Sequence, residues 1–212
     1  MIEIFLSGGP VMVPLLFFSL LSMTVIVERA IFWAIVGMRA NQRLVNSVME
    51  LCQSGDWEGV RQAAAGSKSY VLRILISGIL HRDYSLVKAM EAAAADEIAR
   101  MRRNMGVLDT IITVAPLLGI FGTVLGIISS FDMLGAGGID HPEAVTKGIA
   151  QALITTASGL GIAILTVFPF NYFNARIERA ARFIEKYATS LEIVYEKLAN
   201  RNGWNQENGH ES

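Results

Sequence analysis

The residues best suited to chemistry in this 212-residue chain are hydroxyls set in apolar sequence. Thr123 lies in the segment 115–126 (APLLGIFGTVLG), and Thr155, Thr156 and Ser158 lie in 151–159 (QALITTASG). A hydroxyl donates one hydrogen bond and accepts two, so it orders water or contacts an ion without titrating. Glu28 and Asp109 are the carboxylates inside the apolar stretches, with Arg29 and Arg103 near enough in sequence to pair with them. Other chemistries find little support. Cys52 is the single cysteine and cannot form an internal disulfide, while His81, His141 and His210 are too scattered for a metal set. No nucleophile–base or acid pair assembles, so neither an enzyme nor a cofactor is expected. A formal net charge of -1 leaves no basic field for nucleic acid.

The elements that carry these hydroxyls are membrane spans. Only 17% of residues are charged against 52% hydrophobic, and soluble domains are charged at about a quarter of their positions. Nothing ionisable occurs from 11 to 27, and apolar character resumes after Glu28-Arg29. A second run covers 107–131, broken by Asp109, and a third, 148–173, has no charge at all. Each is long enough for a helix of about 20 residues to cross the hydrocarbon. The first run is preceded by no Lys or Arg and is longer than a signal h-region, so it is expected to stay as an anchor.

The basic residues set the orientation. Arg39 and Arg43 follow the first span, Arg100, Arg102 and Arg103 precede the second, and Arg176, Arg179 and Arg182 follow the third. The positive-inside rule then gives an outward-facing N-terminus at 1–10 and spans at 11–38, 105–132 and 147–173. A cytoplasmic segment covers 39–104, an outer loop 133–146 and a cytoplasmic tail 174–212. Trp33 reads as an interfacial aromatic anchor.

The cytoplasmic segment reads as helical throughout. Val45, Val48, Met49 and Cys52 recur at helical spacing before a break at Ser54-Gly55-Asp56, and further helices are expected at 57–65 and 70–80. From Ser85 no Pro or Gly intervenes until Gly106, so one helix is expected to run into span two, roughly 75 Å at 1.5 Å per residue. Span three is expected to continue to about Asn200, with a frayed polar end at 202–212. The fold class is therefore an all-α integral membrane protein, three transmembrane helices with long cytoplasmic helical extensions.

Small residues recur along spans two and three: Pro116, Gly119, Gly122 and Gly126 on one, Gly159 and Ala163 on the other. Such residues let helix backbones approach closely in lipid. Thr123 lies four residues outward from the midpoint of span two, about 6 Å, and Thr156 lies four or five residues outward from that of span three. The two hydroxyls thus share a depth. No ionisable side chain lies at mid-depth, so the chain alone cannot be a complete proton transporter, and a partner must supply the titrating carboxylate. Sodium, which takes oxygen ligands, is the less favoured alternative.

The segments 115–126 and 151–159, with Val27-Glu28-Arg29 and Gly55-Asp56-Trp57, resemble the signature of the MotA/TolQ/ExbB ion-channel family. Three spans and a moderate length look like its ExbB/TolQ branch. The resemblance implies a bacterial inner-membrane subunit, a homopentamer around an ExbD/TolR-like single-span partner with an intramembrane carboxylate. It further implies conversion of the proton-motive force into work on the envelope through a TonB-like or Tol-Pal-like transducer. Thr123 and Thr156 stand at the family's two pore threonines. Gln151 stands where the family often has Glu, so a charge or proton-relay role is not expected there. The competing expectation is a membrane scaffold that holds a partner without conducting.

Overall fold

The computed structural model describes residues 8–39, 42–67, 69–137 and 142–208, with side chains described except at 38, 39, 83, 134–137, 142–144 and 201–208. Among these there are seven helices and no strand: α1 (Met12–Arg39), α2 (Gln42–Ser54), α3 (Trp57–Ala64), α4 (Tyr70–Leu80), α5 (Arg82–Arg102), α6 (Met105–Gly137) and α7 (Pro142–Asn208). Three stretches, Met12–Gly37, Met105–Met133 and Val145–Asn200, are long and apolar enough to cross a membrane. The outer loop expected at 133–146 is helical on both flanks, and its centre, 138–141, lies outside the described residues, as does most of the N-terminal segment 1–10.

Two compact units form, each built from separated pieces of chain. The first holds the chain up to Ala30 together with Asn104–Asn174. Its helices are α1 as far as Ala30, α6 and the first half of α7. Here α1 buries Val11, Met12 and Leu15 against Ile111 and Ala115 of α6. The start of α1 is a turn through Gly9, whose φ of +72° suits a residue without Cβ. The Gln151 amide lies against that turn, so a Cβ at Gly9 would come within 1.8 Å of Gln151 Nε2.

The second unit holds Ile31–Arg103 and the chain from Ala175 onward. The helical spacing read in α2 is what the fold uses: Val45, Val48, Met49 and Cys52 are all buried. They join Val60, Leu72, Leu75 and Leu86 in a core closed by Ile184, Tyr187 and Leu191 of α7. Burial raises the Cys52 thiol to about 11 and pushes the Tyr70 phenol up as well. The Gly55-Asp56-Trp57 motif is a helix junction. Gly55 turns with φ +76°, Asp56 caps α3 by accepting from Gly59 N at 2.9 Å, and the Trp57 ring packs edge-on against Tyr195 with Arg82 over it.

Two expectations are corrected. The single helix from Ser85 into span two does not form: α5 ends at Arg102 and α6 starts at Met105, with Asn104 between them at φ 61°. Asn is among the few residues that tolerate this left-handed conformation, and its Nδ2 donates to Glu28 Oε2 at 3.2 Å. Ser85 is also non-helical, at φ -166°. Trp33 is buried, 7% exposed, with the Arg176 guanidinium over its ring at 5.9 Å. Finally, α7 continues past Asn200 to Asn208, into the end expected to fray; 209–212 lie outside the described residues.

Candidate functional site

The crossing of α6 and α7 in the first unit is built by absent side chains. A Cβ at Gly159 would lie 2.4 Å from Ala115 O, and one at Gly119 would lie 3.1 Å from both Thr155 O and Thr156 Cα. At Gly126 it would meet Ala152 Cβ at 2.9 Å and Gly148 O at 3.0 Å. Gly122 faces the Thr155 methyl, and Ala163 is buried further along. The small-residue stripe therefore closes a helix pair within one chain. Backbone-to-backbone approach of this kind gains dispersion contact where no hydrophobic driving force separates helix from lipid. Pro116 is half-buried within α6 and, lacking an N–H, frees the carbonyl of Ile112 one turn before it.

This close approach brings two hydroxyls together. Thr123 Oγ1 and Thr156 Oγ1 are hydrogen-bonded to each other across the crossing. Thr123 Oγ1 is 3.2 Å from Gly119 O and 3.2 Å from Ala152 O; Thr156 Oγ1 is 3.0 Å from Gly119 O. Four oxygens thus share two hydroxyl protons. Whichever way the protons point, at least one carbonyl contact goes without a donor, so the cluster retains capacity to accept from a third group.

The other two expected hydroxyls lie elsewhere in the unit. Thr155 is fully buried and its Oγ1 reaches both Gly8 O at 2.9 Å and Gln151 O at 2.8 Å, tying the N-terminal turn to α7. Ser158 is half-buried, donates to Ile154 O at 2.8 Å, and lines a crevice with Met12, Leu15 and Ser19 of α1. Sequence reasoning missed the pairing of Thr155 and Gln151 with the Gly8-Gly9 turn, for which the adjacent glycines near the N-terminus were the available signal.

The charged candidates lie within the second half of α1 and in the first turns of α6. Glu28 receives Arg29 Nε at 2.7 Å as well as a second guanidinium N–H, and Asn104 bonds the same carboxylate. Arg29 is 2% exposed in this cluster, while Arg103 is exposed on the other unit. Asp109 is exposed, and Thr113 donates to its backbone carbonyl at 3.1 Å. Glu28 is therefore held by an arginine and an amide, whereas Asp109 presents its carboxylate to the surroundings.

Comparison with known proteins places this architecture. Residues 67–186 match the MotA/TolQ/ExbB proton channel family. An ExbB-like biopolymer transport protein of Synechocystis sp. is 36% identical over 200 residues, 91% of this chain and 94% of that protein. An ExbB homologue of Methanothermobacter thermautotrophicus is 30% identical over 84% of this chain and 64% of its own length. The Tol-Pal system protein TolQ of Pseudomonas aeruginosa is 28% identical over 76% of this chain and 79% of its own. With an all-helical chain, three helices fit to span and similarity across most of its length to ExbB and TolQ proteins, the chain belongs to the MotA/TolQ/ExbB proton channel family, a family of transport-associated membrane proteins.

Proposed function

We propose that this chain is the channel-forming subunit of an ExbB-like energy-transducing complex of the inner membrane. Five copies surround an ExbD/TolR-like single-span partner, and its intramembrane carboxylate takes up and releases the proton. Ion flow down the proton-motive force then does work on the envelope through a TonB-like or Tol-Pal-like transducer. The observation that carries this reading is the Thr123–Thr156 hydroxyl pair, set near the middle of the apolar runs 107–131 and 148–173, which have no ionisable side chain at that depth.

The chemistry follows from proton counting. A protonated carboxylate donates to an oxygen of the cluster that lacks a donor; an ionised one accepts from a threonine that lets go of Gly119 O or Ala152 O. The pair can therefore contact either protonation state by rotating a hydroxyl. In this reading the N-terminus is periplasmic, the spans are 11–38, 105–132 and 147–173, and both 39–104 and 174–212 are cytoplasmic. Asp109, near the cytoplasmic mouth, is placed to exchange protons, and Gln151 serves the N-terminal turn.

The test is Thr123→Val and Thr156→Val, which keep shape and remove the hydroxyl. Each is expected to abolish gradient-driven uptake in complementation while the partner still co-purifies and native mass spectrometry still shows a pentamer. Activity that collapses with a sodium ionophore and survives a protonophore would change the ion. TolQ-like envelope maintenance is the alternative within the family, separated by whether the chain restores detergent resistance or nutrient uptake. A non-conducting scaffold draws support from one feature, that both hydroxyls already bond backbone carbonyls of their own chain as packing threonines do. Full activity in both valine variants selects it.

A further inference from the structure

A cavity of about 250 Å³ opens in the second unit, lined by Trp33, Val36 and Gly37 of α1, Gln42 and Val45 of α2, Tyr70 and Val71 of α4, and Arg176, Arg179 and Phe183 of α7. Its walls are mostly apolar and aromatic. Its charged lining residues are two arginines, with no carboxylate among the described residues that form it. Arg179 spends its Nε on Ala175 O at 3.1 Å, which leaves most of its donors for another group. Trp33 Nε1 is the one buried side-chain polar atom with no hydrogen-bond partner among the described residues.

A neighbouring cavity of about 240 Å³ carries an acid among its lining residues. There Glu97, 9% exposed at its side chain, receives Arg73 at 2.8 Å and Arg100 at 3.5 Å. The Trp33 cavity shares Val36, Ser69 and Tyr70 with that one, and the charged residues among its described lining are both arginines.

Position along the chain narrows the ligand. Arg39 is the first charge after the apolar run that resumes beyond Arg29, and Trp33 lies six residues before it, about 9 Å along the helix. Arg176 is the first cation after the uncharged run 148–173. Both helices thus bring to the cavity the residues at which apolar sequence gives way to charge, the level of lipid headgroups. Basic pockets beside spanning helices are suited to anionic headgroups, with aromatic rings at the same level. We propose that this cavity binds the phosphate-bearing headgroup of an anionic membrane phospholipid, with Arg176 and Arg179 at the phosphate and Trp33, Val36, Tyr70 and Phe183 along the first methylenes. The volume, roughly that of eight waters at about 30 Å³ each, is of the size of a headgroup.

The experiment is native mass spectrometry of the full chain after delipidation, titrated with phosphatidylglycerol, phosphatidylcholine or inorganic phosphate. Phosphatidylglycerol is expected to be retained at least tenfold better than phosphatidylcholine. Arg176→Gln with Arg179→Gln should remove that preference, and Arg182→Gln, an exposed arginine beside Glu178 outside the cavity, should not. Gly37→Leu provides a variant with both arginines intact, since a Cβ there meets nothing within 4 Å and its side chain enters open space beside the cavity. It is expected to weaken retention without unfolding the protein. Equal retention of the two lipids, or wild-type retention in both the double-glutamine and Gly37→Leu variants, overturns the proposal. So does displacement of phosphatidylglycerol by millimolar inorganic phosphate, which would make the ligand a free anion.

Discussion

The α6–α7 crossing makes a quantitative prediction, because two glycines on α7 differ only in what surrounds them. A Cβ at Gly159 would stand 2.4 Å from Ala115 O, 3.1 Å from Gly119 Cα and 3.2 Å from Gly119 N, all backbone atoms that no rotamer change can move. A Cβ at Gly161 meets nothing within 4 Å. Carbon–oxygen contacts settle at about 3.3 Å, so Gly159→Ala forces the helices apart by about 0.9 Å. Both alanine variants gain the same helix propensity, about 1 kcal/mol, and this term cancels in their difference. What remains is overpacking at Gly159, about 1–3 kcal/mol, or a gap of about 2 to 12 °C in Tm for a chain of this size. The assay is thermal unfolding of the two purified variants in the same detergent, followed by tryptophan fluorescence. The same displacement would stretch the Thr156–Gly119 O bond from 3.0 Å beyond hydrogen-bond range, so Gly159→Ala is also expected to lose gradient-driven activity while Gly161→Ala keeps it. Equal Tm values, or a more stable Gly159→Ala, would refute the close backbone contact on which the hydroxyl pair depends.

Thr155→Val removes the donor to Gly8 O at 2.9 Å from a fully buried site and is expected to cost about 1 kcal/mol, against little for Ser190→Ala, an exposed hydroxyl that bonds only within its own helix; denaturant titration compares them. Cys52 in the folded protein should resist maleimide at pH 8 and react on unfolding. Because its thiol is raised from 9.0 to about 11, the stability it contributes is whole below pH 9 and falls as pH rises toward 11, where the unfolded chain has released the proton and the folded one has not. Since Cys52 is unreactive, added cysteines report topology: Lys147→Cys should label from outside with an impermeant maleimide and Gln53→Cys should not, and reversed labelling would overturn the orientation.

Much of the fold was legible because its signals are local. Apolar run length marks the spans, the spacing of Val45, Val48, Met49 and Cys52 marks a buried helix face, and Gly55-Asp56 marks a junction that the Asp56 cap then forms. The break at Asn104 was not legible. Neither Gly nor Pro stands there, and a left-handed Asn is made stable by Glu28, which lies 76 residues away in sequence. The contact of Trp33 was hidden for the same reason: Arg176, which covers its ring, lies more than a hundred residues later.

The hydroxyls show where sequence periodicity stops. Thr155 and Thr156 are adjacent, and either continues a helical row of small residues through Ala152, Gly159 and Ala163, so spacing alone cannot say which one faces α6. The rotation of α7 about its axis decides. It is fixed on one side by backbone contact of Gly159 with Ala115 and Gly119, and on the other by Gly8 O, which claims Thr155. With Thr155 held by the N-terminal turn, Thr156 is brought to Thr123 at the edge of the crossing, half-buried and open on one side. A one-residue rotation would exchange the two hydroxyls, so the glycines and the Gly8-Gly9 turn choose which threonine meets Thr123.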